Sequence, residues 1–270
     1  MKWSVNGLNE RLQGKTVLIT GASGGLGRAI ARLAAEDATR LILIARNGEK
    51  LYRLKEELEE QFPVHVDPFP FDMKRYQELP ARFQATFPEI HVDVLVNNAG
   101  VGKFKTVKDL TFSEIEEMIT VNLIALVTLT KIILPQMLEN SSGHIINIAS
   151  QGGKIVTPKA AVYGASKKAV LGFSDGLRLE VRNAGIYVTT VNPGPMETDF
   201  FAYADKTGRY LQNVGPWVLD VEKVARIIVR TMMTDVRELN MPRAMNWAAK
   251  LYALAPGLIE KIGKPFFYRK

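Results

Sequence analysis

The sequence predicts a three-layer α/β/α protein, a doubly wound parallel sheet of the Rossmann-like kind. Three observations predict it. Short runs rich in Val, Ile and Leu alternate with longer segments of helical periodicity. The runs are apolar throughout, as strands buried on both faces are. Gly, Asn and Ser collect just after them, at the strand ends where open parallel sheets bind ligands.

In chain order, KTVLIT (15–20) reads as a buried strand and GLGRAIARLAAE (25–36) as a helix. RLILIA (40–45) is a second strand, and EKLYRLKEELEEQF (49–62) a helix with Glu/Lys pairs on its wet face. VHVDPFPF (64–71) is a third strand, followed by a helix at about 74–87, and VDVLVNN (92–98) is a fourth. A long helix is expected over 113–139, kinked or ended by Pro135. GHIINIAS (143–150) is a strand, a helix runs from Tyr163 to about Asn183, and GIYVTTVNPG (185–194) is a strand entering a turn. One domain is expected across 1–270, since an α/β fold fills this length with a single core.

The strand ends carry the chemistry. TGASGGLG (20–27) follows the first strand and opens a helix. Gly21, Gly25 and Gly27 allow a tight turn and close backbone approach, and Ser23 and Leu26 lie in the same turn. A helix N-terminus offers free N–H groups and a positive dipole end, which suits a pyrophosphate. The spacing is not GxGxxG. After the second strand, Ala45 and Arg46 stand where NAD-binding domains place an acid that holds ribose hydroxyls. An acid would repel a 2′-phosphate and an arginine would bind it, so NADP (NADPH) is expected ahead of NAD; a solvated loop arginine is the competing reading. Asp72 ends the third strand, suited either to an adenine amine or to stabilising its own turn. Asn98, Ala99 and Gly100 end the fourth, small enough to lie against an adenosine. Tyr163 and Lys167 sit four apart, on one helical face. A neighbouring ammonium would draw the phenol pKa down towards neutrality and ready it for proton exchange.

Composition narrows the classes. The 270 residues contain no cysteine, which excludes disulfides, a thiol nucleophile and thiolate metal sites. His65, His91 and His144 are far apart, so structural histidines are expected and no metal. The first residues lack a signal-peptide core and no unbroken run of about 18 apolar residues appears, so a cytoplasmic protein without a bilayer-spanning helix is expected. Net charge is +7, of which Val236 to the end carries +5, seven Lys/Arg against two Asp/Glu. A basic tail on a mildly charged body is not a nucleic-acid footprint.

Together TGxxxGxG (20–27), NNAG (97–100), Asn122, Ser150, YxxxK (163–167) and PGxxxT (193–198) resemble the short-chain dehydrogenase/reductase family, over about residues 15–200. The resemblance implies hydride transfer between NAD(P) and a small-molecule carbonyl or alcohol. It implies Tyr163 as acid/base and Lys167 as the residue that tunes it and binds the nicotinamide ribose. It implies Ser150 as the hydroxyl that orients the carbonyl, and Asn122 as a helix-distorting residue that holds a water on the proton relay to Lys167. Pro193, Gly194, Met196 and Thr198 then border the nicotinamide, and a homodimer or homotetramer is implied. Ala149 departs from the frequent Ser beside Ser150. The implied substrate lid, about 195–219, is rich in rings: Phe200, Phe201, Tyr203, Tyr210 and Trp217. They fit an apolar carbonyl compound or mere packing of the lid equally well.

The C-terminal extension, about 243–270, reads as one or two amphipathic helices broken at Pro256–Gly257. Packing beside the lid or within a dimer is preferred over docking on an anionic membrane through Trp247, Phe266, Phe267 and Tyr268. A carbonyl reductase is the leading function. A dinucleotide sensor that binds a protein partner, and an epimerase or dehydratase, are the alternatives; the complete set of Ser150, Tyr163, Lys167 and Asn122 speaks against a sensor.

Overall fold

The computed structural model describes residues 9–205 and 215–267. Among them seven parallel strands form one sheet in the order β3-β2-β1-β4-β5-β6-β7. The strands are β1 (Thr16–Thr20), β2 (Arg40–Ala45), β3 (His65–Pro70), β4 (Val94–Asn97), β5 (Gly143–Ile148), β6 (Ile186–Pro193) and β7 (Glu238–Met241). Chain order reverses between β1 and β4, the position where a doubly wound sheet opens a crevice.

Alternation along each strand splits the core in two. Val17 and Ile19 of β1 face one cluster with Leu41, Leu43, Val94 and Ile146, while Leu18, Ile42, Leu95 and Ile145 face the other. The first face is covered by α1 (Gly25–Ala35), α2 (Gly48–Gln61) and, later in the chain, the helix Val221–Thr231. The second is covered by α3 (Leu79–Thr86), α4 (Phe112–Ile119), α5 (Ala125–Glu139) and α6 (Ala161–Glu180). Short α7 (Asp199–Ala204) follows β6, and Val221–Thr231 is α8. Local signals set several starts: the Asn47 side chain accepts from Lys50 N at α2, Thr111 and Glu114 form a capping box at α4, and Asp220 caps α8. β3 carries Pro68 and Pro70, which an edge strand tolerates.

Two expectations are corrected. The segment at 74–87 is a 3₁₀ turn, Met73–Glu78, followed by α3. Pro135 does not end its helix, because it lies on the exposed side, where the Lys131 carbonyl it leaves unpaired faces water. The interruption comes earlier, as a π-helical turn at Thr120–Ile124. The run Phe112–Glu139 is also apolar and long enough to cross a membrane by composition, yet Met118, Ala125, Leu129, Ile133 and Met137 are buried against the sheet, which makes it a core helix. β7, half-buried and polar at ELNM, and α8 were not anticipated from the sequence.

The extension forms α9 (Arg243–Leu254) and α10 (Pro256–Phe267), with the break at Ala255, one residue before the expected Pro256–Gly257. Packing accounts for one side of α9 alone: Ala249 is buried, whereas Trp247, Leu251 and Leu254 are exposed.

Candidate active site

A cavity of about 950 Å³ lies at the carboxyl ends of the strands. Its first wall is the glycine turn. Gly21 (φ +68°) and Gly25 (φ +49°) take left-handed backbone, which glycine adopts at little cost. A Cβ on Gly21 would meet Asn98 Nδ2 at 2.9 Å, so the turn also needs its bare backbone. Gly24 caps α1 without a side-chain bond, so the first-turn N–H groups face the cavity beside Ser23, Gly25 and Leu26. Gly27 does not line the cavity. Its Cβ would come within 2.3 Å of Gly21 O, so its role is to let α1 sit tightly on the turn. A backbone cradle that side chains would fill, at a helix N-terminus, fits a dinucleotide pyrophosphate.

Arg46 lines the cavity, as expected, together with Asn47 and Lys50. Lys50 went unread, though it lies four residues on in the same segment. Asp72 also lines the cavity, while its Oδ1 accepts from Lys74 N at 3.0 Å and so caps its own turn. Asn98, Ala99 and Gly100 follow. They are tied to β1 by Thr20, whose buried Oγ1 accepts from both Asn98 N and Ala99 N at 2.9 Å. Thr20 is a further site-shaping residue that the sequence reading passed over.

At the other end, Tyr163 enters from the first turn of α6, 8 % exposed, and Lys167 follows one turn later, 4 % exposed. Ser150 lies just past β5, beside the Tyr163 phenol, where it opposes the effect of burial on that group. Its Oγ accepts from Gly152 N at 3.0 Å, which leaves its proton to donate. Lys167 Nζ donates to Ile148 O at 2.8 Å. The three groups meet at one cavity. The electrostatics correct the sequence argument. Burial pushes the phenol up to about 12 against the opposing effect of Ser150, and pushes Lys167 down to about 8. Desolvation is the leading influence on both groups.

Asn122 sits in the π turn, fully buried, away from the cavity lining. Its Oδ1 accepts from Val101 N at 2.7 Å, and its Nδ2 donates to Val101 O and to Ser166 Oγ, each at 2.9 Å. Ser166 Oγ in turn donates to Tyr163 O at 2.7 Å. Both donors of this amide are spent on protein partners, so its side chain positions the Val101 loop and the turn that carries Tyr163. The distorted helix implied by the resemblance is present; the side chain itself has no donor left for a water.

Pro193, Gly194, Met196 and Thr198 form the remaining rim. Gly194 N donates to Met241 O at 2.7 Å, and Met196 bridges Leu219, so β7 and the segment before α8 hold this loop. Phe104 and Phe200 each stand 5.7 Å from the Tyr163 ring. Tyr203, Trp217, Met245 and Ile259 extend the apolar wall. Tyr210, Phe201, Phe266, Phe267 and Tyr268 fall outside the residues whose side chains are described. A loop network, unread from the sequence, braces the floor: Lys154 pairs with Glu238 at 2.7 Å and bonds Asn246 of α9, and Gln151 Nε2 donates to Asn192 O.

His144 lies at the opposite end of β5, fully buried. Its Nε2 pairs with Thr189 Oγ1 at 2.8 Å and its Nδ1 accepts from Met233 N at 2.9 Å. Burial pushes its pKa down to about 3, as a neutral structural histidine requires.

The sequence profile described as short chain dehydrogenase matches residues 15–208. A dehydrogenase/reductase SDR family protein 7-like of Drosophila melanogaster is 38 % identical over 197 residues, 70 % of this chain; the match spans 59 % of the fly protein. An NADP-dependent 3-hydroxy acid dehydrogenase of Schizosaccharomyces pombe is 34 % identical over 194 residues, covering 70 % of this chain and 74 % of the yeast protein. The solved structure of a short-chain dehydrogenase from Sphingobium yanoikuyae in complex with NADPH superposes with a TM-score of 0.77 at 31 % identity, over 91 % of this chain and 95 % of that one.

Proposed function

The chain belongs to the short-chain dehydrogenase family of NAD(P)-dependent oxidoreductases acting on CH–OH and C=O groups, and from that premise we propose that it is an NADPH-dependent carbonyl reductase whose substrate is an apolar ketone, aldehyde or 3-oxoacyl compound. The observation that carries this reading is the meeting of Ser150 with buried Tyr163 and Lys167 at the end of a cavity whose other end is the glycine cradle. When bound, NADPH supplies the hydride.

Each residue has a task. The cradle and the first turn of α1 hold the pyrophosphate, and Arg46 with Lys50 neutralises the ribose 2′-phosphate. Tyr163 and Ser150 direct two hydroxyl donors at the carbonyl oxygen, where negative charge builds. Burial keeps Tyr163 protonated, so it has a proton to give. That proton goes to the oxygen as the carbonyl becomes CH–OH. Lys167, with a pKa of about 8, is mostly cationic at neutral pH and stabilises the phenolate left behind. Asn122 and Ser166 hold the Tyr163 turn in place. The apolar walls of Phe104, Phe200 and Met245 exclude water and favour a lipophilic substrate. The same reading takes residues 1–270 as one dinucleotide-binding unit with a lid at about 195–219. It takes the protein as a homodimer or homotetramer, which the partly buried Leu123, Val127, Leu171 and Phe173 on α5, its π turn and α6 would serve.

The test is NADPH oxidation, followed by absorbance over ketones, aldehydes and 3-oxoacyl thioesters. Turnover of an apolar member supports the reading. NADPH binding without turnover of any carbonyl contradicts it and favours a dinucleotide sensor.

A further inference from the structure

We propose that the outer face of α9 and α10 docks the protein on the surface of an anionic phospholipid bilayer. α9 has two apolar sides. Ala244, Met245 and Ala248 turn towards the cavity, and Ala249 is buried. On the other side Trp247 is 66 %, Leu251 56 % and Leu254 83 % exposed, and Leu258 of α10 is 59 % exposed. Positions 247, 251 and 254 follow helical spacing, so their side chains form one stripe. Large apolar side chains gathered in a stripe mark a surface that meets something.

Charge identifies the occupant. Residues 243–270 hold six Lys/Arg and one acid, Glu260. Arg243 and Lys250 are exposed on the Trp247 side of α9, and Lys261 is exposed on α10. Lys250 Nζ stands 5.0 Å from the Trp247 ring, so cation and indole share one patch. The single acid is bonded by Tyr252 Oη at 2.7 Å, which also ties α10 to α9. Apolar side chains beside exposed cations, with a tryptophan among them, match a headgroup layer of negative lipids. Arg243 and Lys250 flank the stripe on α9 and Lys261 is exposed on α10, so a second copy of the same face would bring like charges together. The proposal stands on this surface alone and does not depend on which substrate the cavity accepts.

Co-flotation of the full-length protein with vesicles tests it. The vesicles are phosphatidylcholine alone, or phosphatidylcholine with about one-third phosphatidylserine. Binding to the anionic vesicles, at least about tenfold stronger than to the neutral ones and weakened by salt, is expected. The triple variant Trp247→Ser, Leu251→Ser, Leu254→Ser should lose that binding while keeping NADPH affinity and melting temperature. Should the triple variant fail to fold, Lys250→Glu with Lys261→Glu, charges on exposed side chains, should still remove the preference for anionic vesicles. Absence of flotation with the folded wild type overturns the proposal, as does binding that neither set of substitutions changes. Concentration-dependent self-association that the triple substitution removes, without vesicle binding, also overturns it, in favour of a second copy of the chain.

Discussion

The two ends of the cavity are built by different means. The glycine-turn end is specified by backbone: Gly21 and Gly25 hold positive φ, Gly27 leaves room for Gly21 O, and Thr20 ties the strand ends together. The aromatic end is specified by side-chain bulk: Phe104, Phe200, Tyr203, Trp217 and Met245 come from four separate segments and meet only by packing. A backbone contact tolerates one residue type, whereas an apolar wall accepts many of similar volume. The first end is therefore expected to be intolerant and common to a family, and the second tolerant and particular to a substrate.

Gly27→Ala attacks that contrast where it is strongest. The added Cβ would meet Gly21 O at 2.3 Å and Asn98 Nδ2 at 2.6 Å, so α1 or the turn must move. The expected result is a stability loss of about 1–3 kcal/mol and NADPH binding weakened at least about a hundredfold, since both phosphate-facing elements shift; isothermal titration and thermal melting read both. Unchanged binding would show that the cradle is not what holds the dinucleotide. Arg46→Asp is next. Losing a charge-assisted bond and adding repulsion should lower the NADPH-to-NADH preference by about ten- to a hundredfold, measured as the ratio of the two kcat/KM values. An unaltered ratio would leave Arg46 as a loop residue and move the task to Lys50.

At the aromatic end, Phe104→Ala should cost an apolar substrate about tenfold in kcat/KM, roughly one lost ring contact, and a small carbonyl much less. Equal losses for both would mean that Phe104 acts through Tyr163, whose ring it touches, and not through substrate size. The last concerns the sheet that both ends share. His144 has a folded pKa of about 3 against 6.5 when unfolded. Its contribution is complete above pH 6.5 and is lost as pH falls, because the unfolded chain takes up a proton that the folded chain refuses; the slope is at most about 1.4 kcal/mol per pH unit. Thermal melts at pH 7 and pH 5 should differ less for His144→Gln than for wild type.

The same contrast explains what the sequence made legible. Strands buried on both faces show as unbroken apolar runs, and β1 to β6 were placed within a few residues. The glycine turn, NNAG, Ser150 and YxxxK were legible because each needs a particular residue at a particular strand or helix end. β7 was not, since ELNM at a half-buried edge has no apolar signature. The π turn has no local signal, because TVNLI is ordinary helical sequence; the family resemblance alone implied a distortion at Asn122, and its packing against Val101 and Ser166 explains it. The phenol's pKa was misread because spacing reveals a nearby ammonium but not how completely the pair is removed from water. Lys154, Glu238 and Asn246 lie far apart in the chain, so their network has no local pattern.

The most direct measurement is single-turnover reduction of an apolar ketone by Tyr163→Phe with NADPH in excess, alongside its NADPH dissociation constant. Removing the buried phenol hydroxyl beside Ser150 and Lys167 should lower the chemical step by about 10²–10⁴-fold and leave NADPH affinity unchanged. Reduction at the wild-type rate, with the dinucleotide bound as tightly, would contradict the assignment of the proton to Tyr163.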